Sequence, residues 1–217
     1  MLLPGSPQVE SPRGRNAAPE SDEARFARAV TKMDEHVGTL MKALDKGKLD
    51  HNTLVVFTSN NGSAAAGKLH GKTYAIGTGA EGDRGAHVPV VVRAPFLASA
   101  GRMSRDLIDI TDLYPTLIEL ANVAPPTGIT LDGRSFVPSL RGSEDPFEKR
   151  SWIFSQVGDF RMIRDWHHIV DSKGNFHALA ADPLQREAVN PLDKIAPGRR
   201  LRLQAILDRF PDDAPRP

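Results

Sequence analysis

One short stretch constrains the fold of this chain more than any other. It runs from Thr53 to Gly62 with the letters TLVVFTSNNG. A continuous apolar run such as Leu54 to Phe57 is typical of a buried strand in a parallel sheet covered by helices. The strand stops at two side-chain amides and a glycine, Asn60, Asn61 and Gly62. Amide oxygens at a tight turn can hold a hard cation or a charged substrate, or they can simply build the turn. Both interpretations remain open at this point.

An amphipathic helix precedes this strand. Ser21 is a suitable N-cap and Gly47 a suitable end. Apolar residues recur between them at spacings of three and four, at Phe26, Val30, Met33, Val37, Leu40 and Leu44. This spacing predicts one long helix with one buried face. Helix, short turn and apolar strand together indicate an α/β layer with a largely buried, parallel strand.

Three regions of the chain differ in composition and in the spacing of their apolar residues. Residues 1–20 are rich in Pro, Ser, Gly and Arg, which predicts a poorly ordered lead-in. Residues 21–145 carry the α/β pattern, with a further helix predicted after Asp112. Residues 146–217 predict a small antiparallel subdomain with a C-terminal helix over about 199–210. Its four short strand-like runs are 151–157, 160–163, 167–170 and 175–179.

Composition excludes several classes of function. A net charge of +1 gives no reason to expect nucleic acid as a partner. The 217 residues contain no cysteine, which excludes disulfides, thiolate metal sites and a cysteine nucleophile within them. No apolar run is long enough for a membrane span, so no membrane partner is expected. The N-terminus lacks the pattern of a signal peptide, and the localisation stays undetermined.

Six segments in order resemble the sulfatases of the alkaline phosphatase superfamily, and specifically their C-terminal half. They are MDEHVG at 33–38, NTLVVFTSNNG at 52–62, RGAHVPVVVRAP at 84–95, DLYPTL at 112–117, LDGRS at 131–135 and ADP at 181–183. The resemblance implies part of an alkaline-phosphatase-like sandwich, a mixed and mostly parallel sheet with flanking helices. A small C-terminal antiparallel sheet with a packed helix would follow it.

The resemblance also implies site residues. Asn60 and Asn61 stand where the family usually has Asp-Asn, which implies Ca²⁺ ligands with one carboxylate replaced by an amide. A family lysine that contacts the sulfate is best matched by Lys72 and next by Lys68, and His70 could help the same anion. Each of these three residues is also explained as an ordinary solvated loop residue. His87 is expected to be structural.

The nucleophile of the family is a formylglycine made from the Cys or Ser of a C/S-x-P-x-R motif. It cannot come from a cysteine here, and Ser11 does not fit the motif because Pro12 follows it directly. The family's paired N-terminal aspartates are not matched either, since Asp212 and Asp213 lie among prolines rather than after an apolar strand. The two adjacent histidines of the small sheet, His167 and His168, are expected on different strand faces and therefore not to act as a pair.

Three functions remain open for such a chain. The first is a sulfuric ester hydrolase fragment that is inactive alone, because it lacks the nucleophile-bearing N-terminal half. The second is a non-catalytic interaction module, or one half of a split sulfatase, whose partner carries the missing half. The third keeps the superfamily and changes the substrate to a phosphomonoester or a phosphonate ester.

Overall fold

The computed structural model describes residues 21–63, 66–69, 72–74, 76–97, 101–179 and 197–210. The predicted lead-in at 1–20, the segment 181–183 and the tail from 211 lie outside these residues. The helices are α1 Asp22–Lys46, α2 Asp83–Ala86, α3 Leu113–Leu120, α4 Val137–Arg141 and α5 Pro197–Leu207. The strands are β1 Val55–Thr58, β2 Gly67–Leu69, β3 Lys72–Tyr74, β4 Val90–Arg93, β5 Ile153–Val157, β6 Phe160–Arg164, β7 His168–Asp171 and β8 Phe176–Ala178. None of the described helices is both long and apolar enough to cross a lipid bilayer.

Helix α1 begins and ends where the sequence predicts. The main-chain N–H of Ala24 donates to the Ser21 hydroxyl at 3.2 Å, and Gly47 ends the helix. The prediction of a buried face is wrong, because no residue of α1 is buried. Phe26 is 41% exposed and Leu40 is 52% exposed. The periodicity specifies an apolar stripe on the helix, but it does not specify which element covers that stripe.

Strand β1 pairs with β4, and the pairing is antiparallel. The register joins Val55 to Arg93 and Thr58 to Val90. The prediction of a buried parallel strand is therefore wrong for this pair, and β1 is only partly buried along its length. A continuous apolar run indicates burial on both faces but carries no information on strand direction. The α/β fold class itself is confirmed, since helices and sheets combine in the described residues.

The predicted C-terminal meander is confirmed. Strands β5, β6, β7 and β8 form one antiparallel sheet in chain order. Helix α5 packs on this sheet and completes the main apolar core, formed by Ile163, Val170, Phe176, Leu203, Ile206 and Leu207. Full burial of one such side chain contributes about 1.5–3 kcal/mol. The small sheet is therefore the most firmly packed part of the described chain, whereas the predicted boundary between 145 and 146 stays a prediction.

Two of the sequence motifs lock together around α3. The Thr116 hydroxyl donates to the Asp112 carbonyl at 2.6 Å and accepts the main-chain N–H of Phe136 at 3.0 Å. Gly133 is required here, because a Cβ on it would lie 1.9 Å from the Thr111 carbonyl oxygen. The motifs at 112–117 and 131–135 are thus packing features of the fold.

Candidate functional site

A cavity of about 1100 Å³ lies beyond the end of β1. Thr58, Ser59, Asn60 and Asn61 form one wall. A second wall comes from the loop before β4 and from α2, and a third comes from β5 and β6. The small C-terminal sheet therefore borders the same space as the paired amides, although the two are about a hundred residues apart in sequence.

Local hydrogen bonds hold the amide turn. The Ser59 hydroxyl donates to the Asn61 carbonyl at 2.9 Å. The Thr78 hydroxyl lies 2.9 Å from the Gly62 carbonyl and 3.3 Å from the Asn61 Oδ1 atom. Asn61 is partly buried and Asn60 is exposed. The sequence-based prediction missed Thr78, whose hydroxyl contacts the amide turn, because Thr78 lies 17 positions after Asn61.

Close glycine contacts place this turn against the loop before β4. The Gly62 N–H donates to the Gly85 carbonyl at 2.9 Å, and the Gly77 N–H donates to the Ser63 carbonyl at 2.8 Å. A Cβ on Gly62 would lie 2.0 Å from the Arg84 carbonyl oxygen, and one on Gly77 would lie 2.4 Å from the same atom. Only glycine permits this approach of backbone to backbone. The richness of this loop in glycine was the available sequence signal for it.

A buried ion pair lies in the wall of the cavity. Arg164 of β6 donates to the Asp83 carboxylate at 2.6 Å, and both residues are 8% exposed. Burial raises the pKa of Asp83, whereas the adjacent guanidinium of Arg164 and, after it, His87 oppose that rise. The expectation that His87 is structural stays a prediction; its side chain is 66% exposed and lines the cavity, and its Nδ1 atom lies 4.0 Å from the Asp83 Oδ2 atom.

The structure covers the predicted anion-binding residues only in part. Lys68 lies in β2 and Lys72 in β3, where the register pairs Lys68 with Thr73 and Leu69 with Lys72. The side chains of both lysines, and all of His70, lie outside the described residues. Their assignment to substrate binding stays a prediction.

The described residues offer only part of a calcium shell. Ca²⁺ takes about six to eight oxygen ligands. The turn supplies two neutral amide oxygens, and that of Asn61 already faces the Thr78 hydroxyl. Within the part of the chain that the structure describes, no three His, Asp or Glu side chains group as metal ligands would. These residues therefore do not fit a calcium ion on their own.

The two adjacent histidines of the small sheet differ in environment, and His167 precedes β7, which begins at His168. His168 is buried and stacks on Phe176 with ring centroids 5.0 Å apart. His167 is exposed, and its ring meets that of His168 edge-on at 6.2 Å. Neither histidine lines the cavity, and the expectation that they do not act as a pair stays a prediction.

Comparisons with known proteins agree on one family. The family model described as Sulfatase matches residues 4–123, which is more than half of the chain. Human steryl-sulfatase is 27% identical over 161 residues, covering 70% of this chain and 27% of that protein. The N-acetylgalactosamine-6-sulfatase of Canis lupus familiaris is 32% identical over 128 residues, covering 57% of this chain and 24% of that protein. The chain thus spans about a quarter of the length of the curated relatives it matches.

Solved structures show the same fold. A protein in complex with its substrate D-glucosamine-2-N,6-O-disulfate superposes with a TM-score of 0.66 at 24% identity, covering 86% of this chain and 41% of that chain. The PsFucS1 sulfatase from Pseudoalteromonas sp. gives a TM-score of 0.64 at 17% identity, with 88% and 46% coverage. At these identities the likeness concerns the fold.

Proposed function

This chain belongs to the sulfatase family, and we propose that it forms the C-terminal part of a sulfuric ester hydrolase and is inactive without the part that bears the nucleophile. The observation that carries this proposal is the amide turn at the end of β1. Asn60 and Asn61 border a large cavity, and Thr78 and the glycine contacts fix the turn there. The family match covers this segment.

Hydrolysis of a sulfate ester needs a nucleophile at sulfur and positive charge beside the sulfate oxygens. In the complete enzyme, Asn60 and Asn61 would be two ligands of a bound Ca²⁺, which would polarise the sulfate. Lys72, or Lys68 in its place, would contact the sulfate, and His70 would assist the same anion. The formylglycine must come from outside these 217 residues, which hold no cysteine and no C/S-x-P-x-R motif.

The substrate class of the proposal is a sulfate ester. The relatives named above act on different ones by their names, a steryl sulfate and an N-acetylgalactosamine 6-sulfate. The residues that line the cavity would select among such esters, so the proposal names sulfate esters as a class and no single ester. No comparison favours the phosphomonoester or phosphonate alternative, because these relatives are sulfatases.

Activity assays test this proposal in two steps. The purified chain, incubated with an aryl sulfate and calcium, should give no turnover above a boiled control; measurable turnover would contradict the proposal. The DNA upstream of the start codon is then read for an in-frame stretch that encodes paired aspartates and a C/S-x-P-x-R motif. The longer polypeptide expressed from such a stretch should hydrolyse the ester, and Asn61→Ala and Lys72→Ala should each reduce its kcat/KM. A longer polypeptide that stays inactive would also contradict the proposal.

One observation favours the second candidate function, an interaction module or one half of a split sulfatase. The apolar stripe of α1 is about half exposed at Val30, Met33 and Leu40, and Val91 of β4 is 59% exposed. Such apolar surface is typical of a face that another polypeptide covers. The proposed occupant is a chain that carries the missing N-terminal half. Co-purification of a neighbouring-gene product with a C/S-x-P-x-R motif would support this candidate, and a stable soluble monomer would argue against it.

A further inference from the structure

The Arg164–Asp83 ion pair joins two parts of the chain that are 81 residues apart. Arg164 lies at the end of β6 in the small sheet, and its Nε atom also donates to the Asp165 carbonyl at 3.1 Å. Asp83 is the first residue of α2. The guanidinium is thus held at two points, one in the turn between β6 and β7 and one on α2. Breaking a buried pair leaves an uncompensated buried charge, so this link is a firm one.

Helix α2 in turn holds the amide turn. The Gly85 carbonyl of α2 accepts the Gly62 N–H at 2.9 Å. The neighbouring Arg84 carbonyl lies so close to Gly62 and Gly77 that neither can carry a side chain. Because Asn61 directly precedes Gly62, we expect a shift of α2 to displace the turn that carries the two amides. Contacts therefore run without a break from Arg164 through Asp83 and Gly85 to Asn61.

A second ion pair also connects the small sheet to the segment that begins α2, and it can be compared with the Arg164–Asp83 pair. Glu81 lies two residues before Asp83, and its carboxylate accepts from Lys173 in the β7–β8 turn at 2.5 Å. The Glu81 side chain is 48% exposed and the Lys173 side chain is 57% exposed. An exposed pair of this kind contributes about 0–1 kcal/mol. Of the two links, the buried one is therefore expected to fix the position of α2.

We propose that Arg164 is a positioning residue for the Asn60–Asn61 turn, acting through Asp83 and α2. The small C-terminal sheet then does more than stabilise the chain, because it sets the place of the amides in the cavity. The functional meaning of this inference rests on the proposed function, in which the amides belong to the sulfatase site. The mechanical coupling does not rest on it.

Amide hydrogen exchange followed by NMR tests the coupling in the chain as it stands. In Asp83→Asn the Gly62 and Gly77 N–H groups should lose about tenfold or more of their protection, while the β7 amides of Ile169 and Val170 keep theirs. Glu81→Gln is the matched control, and it should leave Gly62 and Gly77 protected. The exchanged pair Asp83→Arg with Arg164→Asp should recover part of the lost protection.

Two results would overturn the inference. One is unchanged protection of Gly62 in Asp83→Asn. The other is an equal loss of protection at Gly62 and at Val170, which would mean that the pair contributes only to global stability. Neither readout needs sulfatase activity. An inactive longer polypeptide would therefore refute the proposed function and leave the coupling standing, whereas unchanged exchange would refute the coupling alone.

Discussion

Arg150 donates to both carboxylate oxygens of Asp112, from Nε to Oδ2 at 3.1 Å and from its terminal nitrogen to Oδ1. The same carboxylate accepts the main-chain N–H groups of Asp109 at 2.8 Å and of Arg134 at 2.6 Å. Asp112 is 2% exposed. The acidic residue of the 112–117 motif is therefore fully engaged in holding the fold together, and it is not available as a ligand.

Asp112→Asn should strongly destabilise the chain. The substitution keeps the shape of the side chain but leaves the partly buried Arg150 without a counter-charge. Removal of one partner of a buried pair costs about 3–5 kcal/mol. Urea denaturation measures the free energy of unfolding. Glu119→Gln, in an exposed pair with Arg141 at 3.9 Å, is the control and should change it by less than about 0.5 kcal/mol. Equal midpoints for the two variants would contradict the role of Asp112.

Alanine substitution at two glycines should have opposite effects. Gly62→Ala would place a Cβ 2.0 Å from a backbone oxygen that cannot move freely, so we expect a loss of about 1–3 kcal/mol. Gly38→Ala lies in the middle of α1, where a Cβ would meet nothing within 4 Å. It should stabilise the chain by about 0.5–1 kcal/mol through helix propensity. Thermal or urea unfolding measures both, and a stabilising Gly62→Ala would refute the close contact.

Stability should fall on acidification because of His168. Burial against Phe176 lowers the pKa of His168; Asp165 opposes this shift, and Arg199 and His167 add to it. A lowered folded-state pKa means that the unfolded chain binds the proton more readily. The free energy of unfolding should thus decrease as the pH falls through about 6.5, the unfolded value, and level off below the folded-state pKa.

His168→Phe removes the titrating group and keeps a ring on Phe176. The loss of stability on acidification below neutral pH should be smaller in this variant, as measured by urea unfolding at a series of pH values. The exposed His51 provides the control, and His51→Gln should keep the parent profile. A parent-like profile in His168→Phe would show that another group causes the pH dependence.

Asn60→Asp should restore charge without restoring catalysis. A carboxylate at this position should give the isolated chain a weak calcium affinity that the two neutral amides lack, because affinity rises with the number of charged ligands. Turnover of an aryl sulfate should stay absent, since the nucleophile is still missing. Calorimetric titration with calcium measures the first effect, and Asn52→Asp, an equal change at an exposed position outside the cavity, is the control. Identical titrations for the two variants would argue against a metal-binding role for Asn60.

The apolar stripe of α1 should drive self-association of the isolated chain. Val30→Lys combined with Leu40→Lys places two charges on this stripe, where the side chains are 41% and 52% exposed. The double variant should sediment as a smaller species than the parent at the same concentration. Thr39→Lys adds charge elsewhere on α1 and should leave the sedimentation unchanged. A parent that is already monomeric would contradict this prediction.

Local features of the chain could be predicted from its sequence, whereas a pairing between distant strands could not. Ser21 caps α1 through its own hydroxyl, and Gly158 and Gly174 turn the small sheet with positive φ. These features depend on neighbouring residues, so their sequence patterns are sufficient to predict them. The antiparallel pairing of β1 with β4 had no such signal, because the two strands are more than thirty residues apart.

The candidate site divides in the same way. Sequence motifs pointed to Asn60 and Asn61, but not to Thr78 or to the ion pair behind the turn. Asp83 begins the short helix α2 in a glycine-rich region and Arg164 ends strand β6, and nothing in either local sequence indicates that they meet.

The sequence by itself determined the family, helix α1, the C-terminal meander, the Ser21 cap and the absence of a cysteine nucleophile, but not β2, β3 or α2. Each feature that it determined is either a property of residue identity or of interactions within a few positions of the chain. Only the tertiary structure decided that the apolar stripe of α1 lies uncovered and that the Asp112 carboxylate is buried in a network of hydrogen bonds. It also decided that Arg164 pairs with Asp83, which connects the small sheet to the amide turn through α2. These depend on distances between residues far apart in sequence, which packing and burial set together.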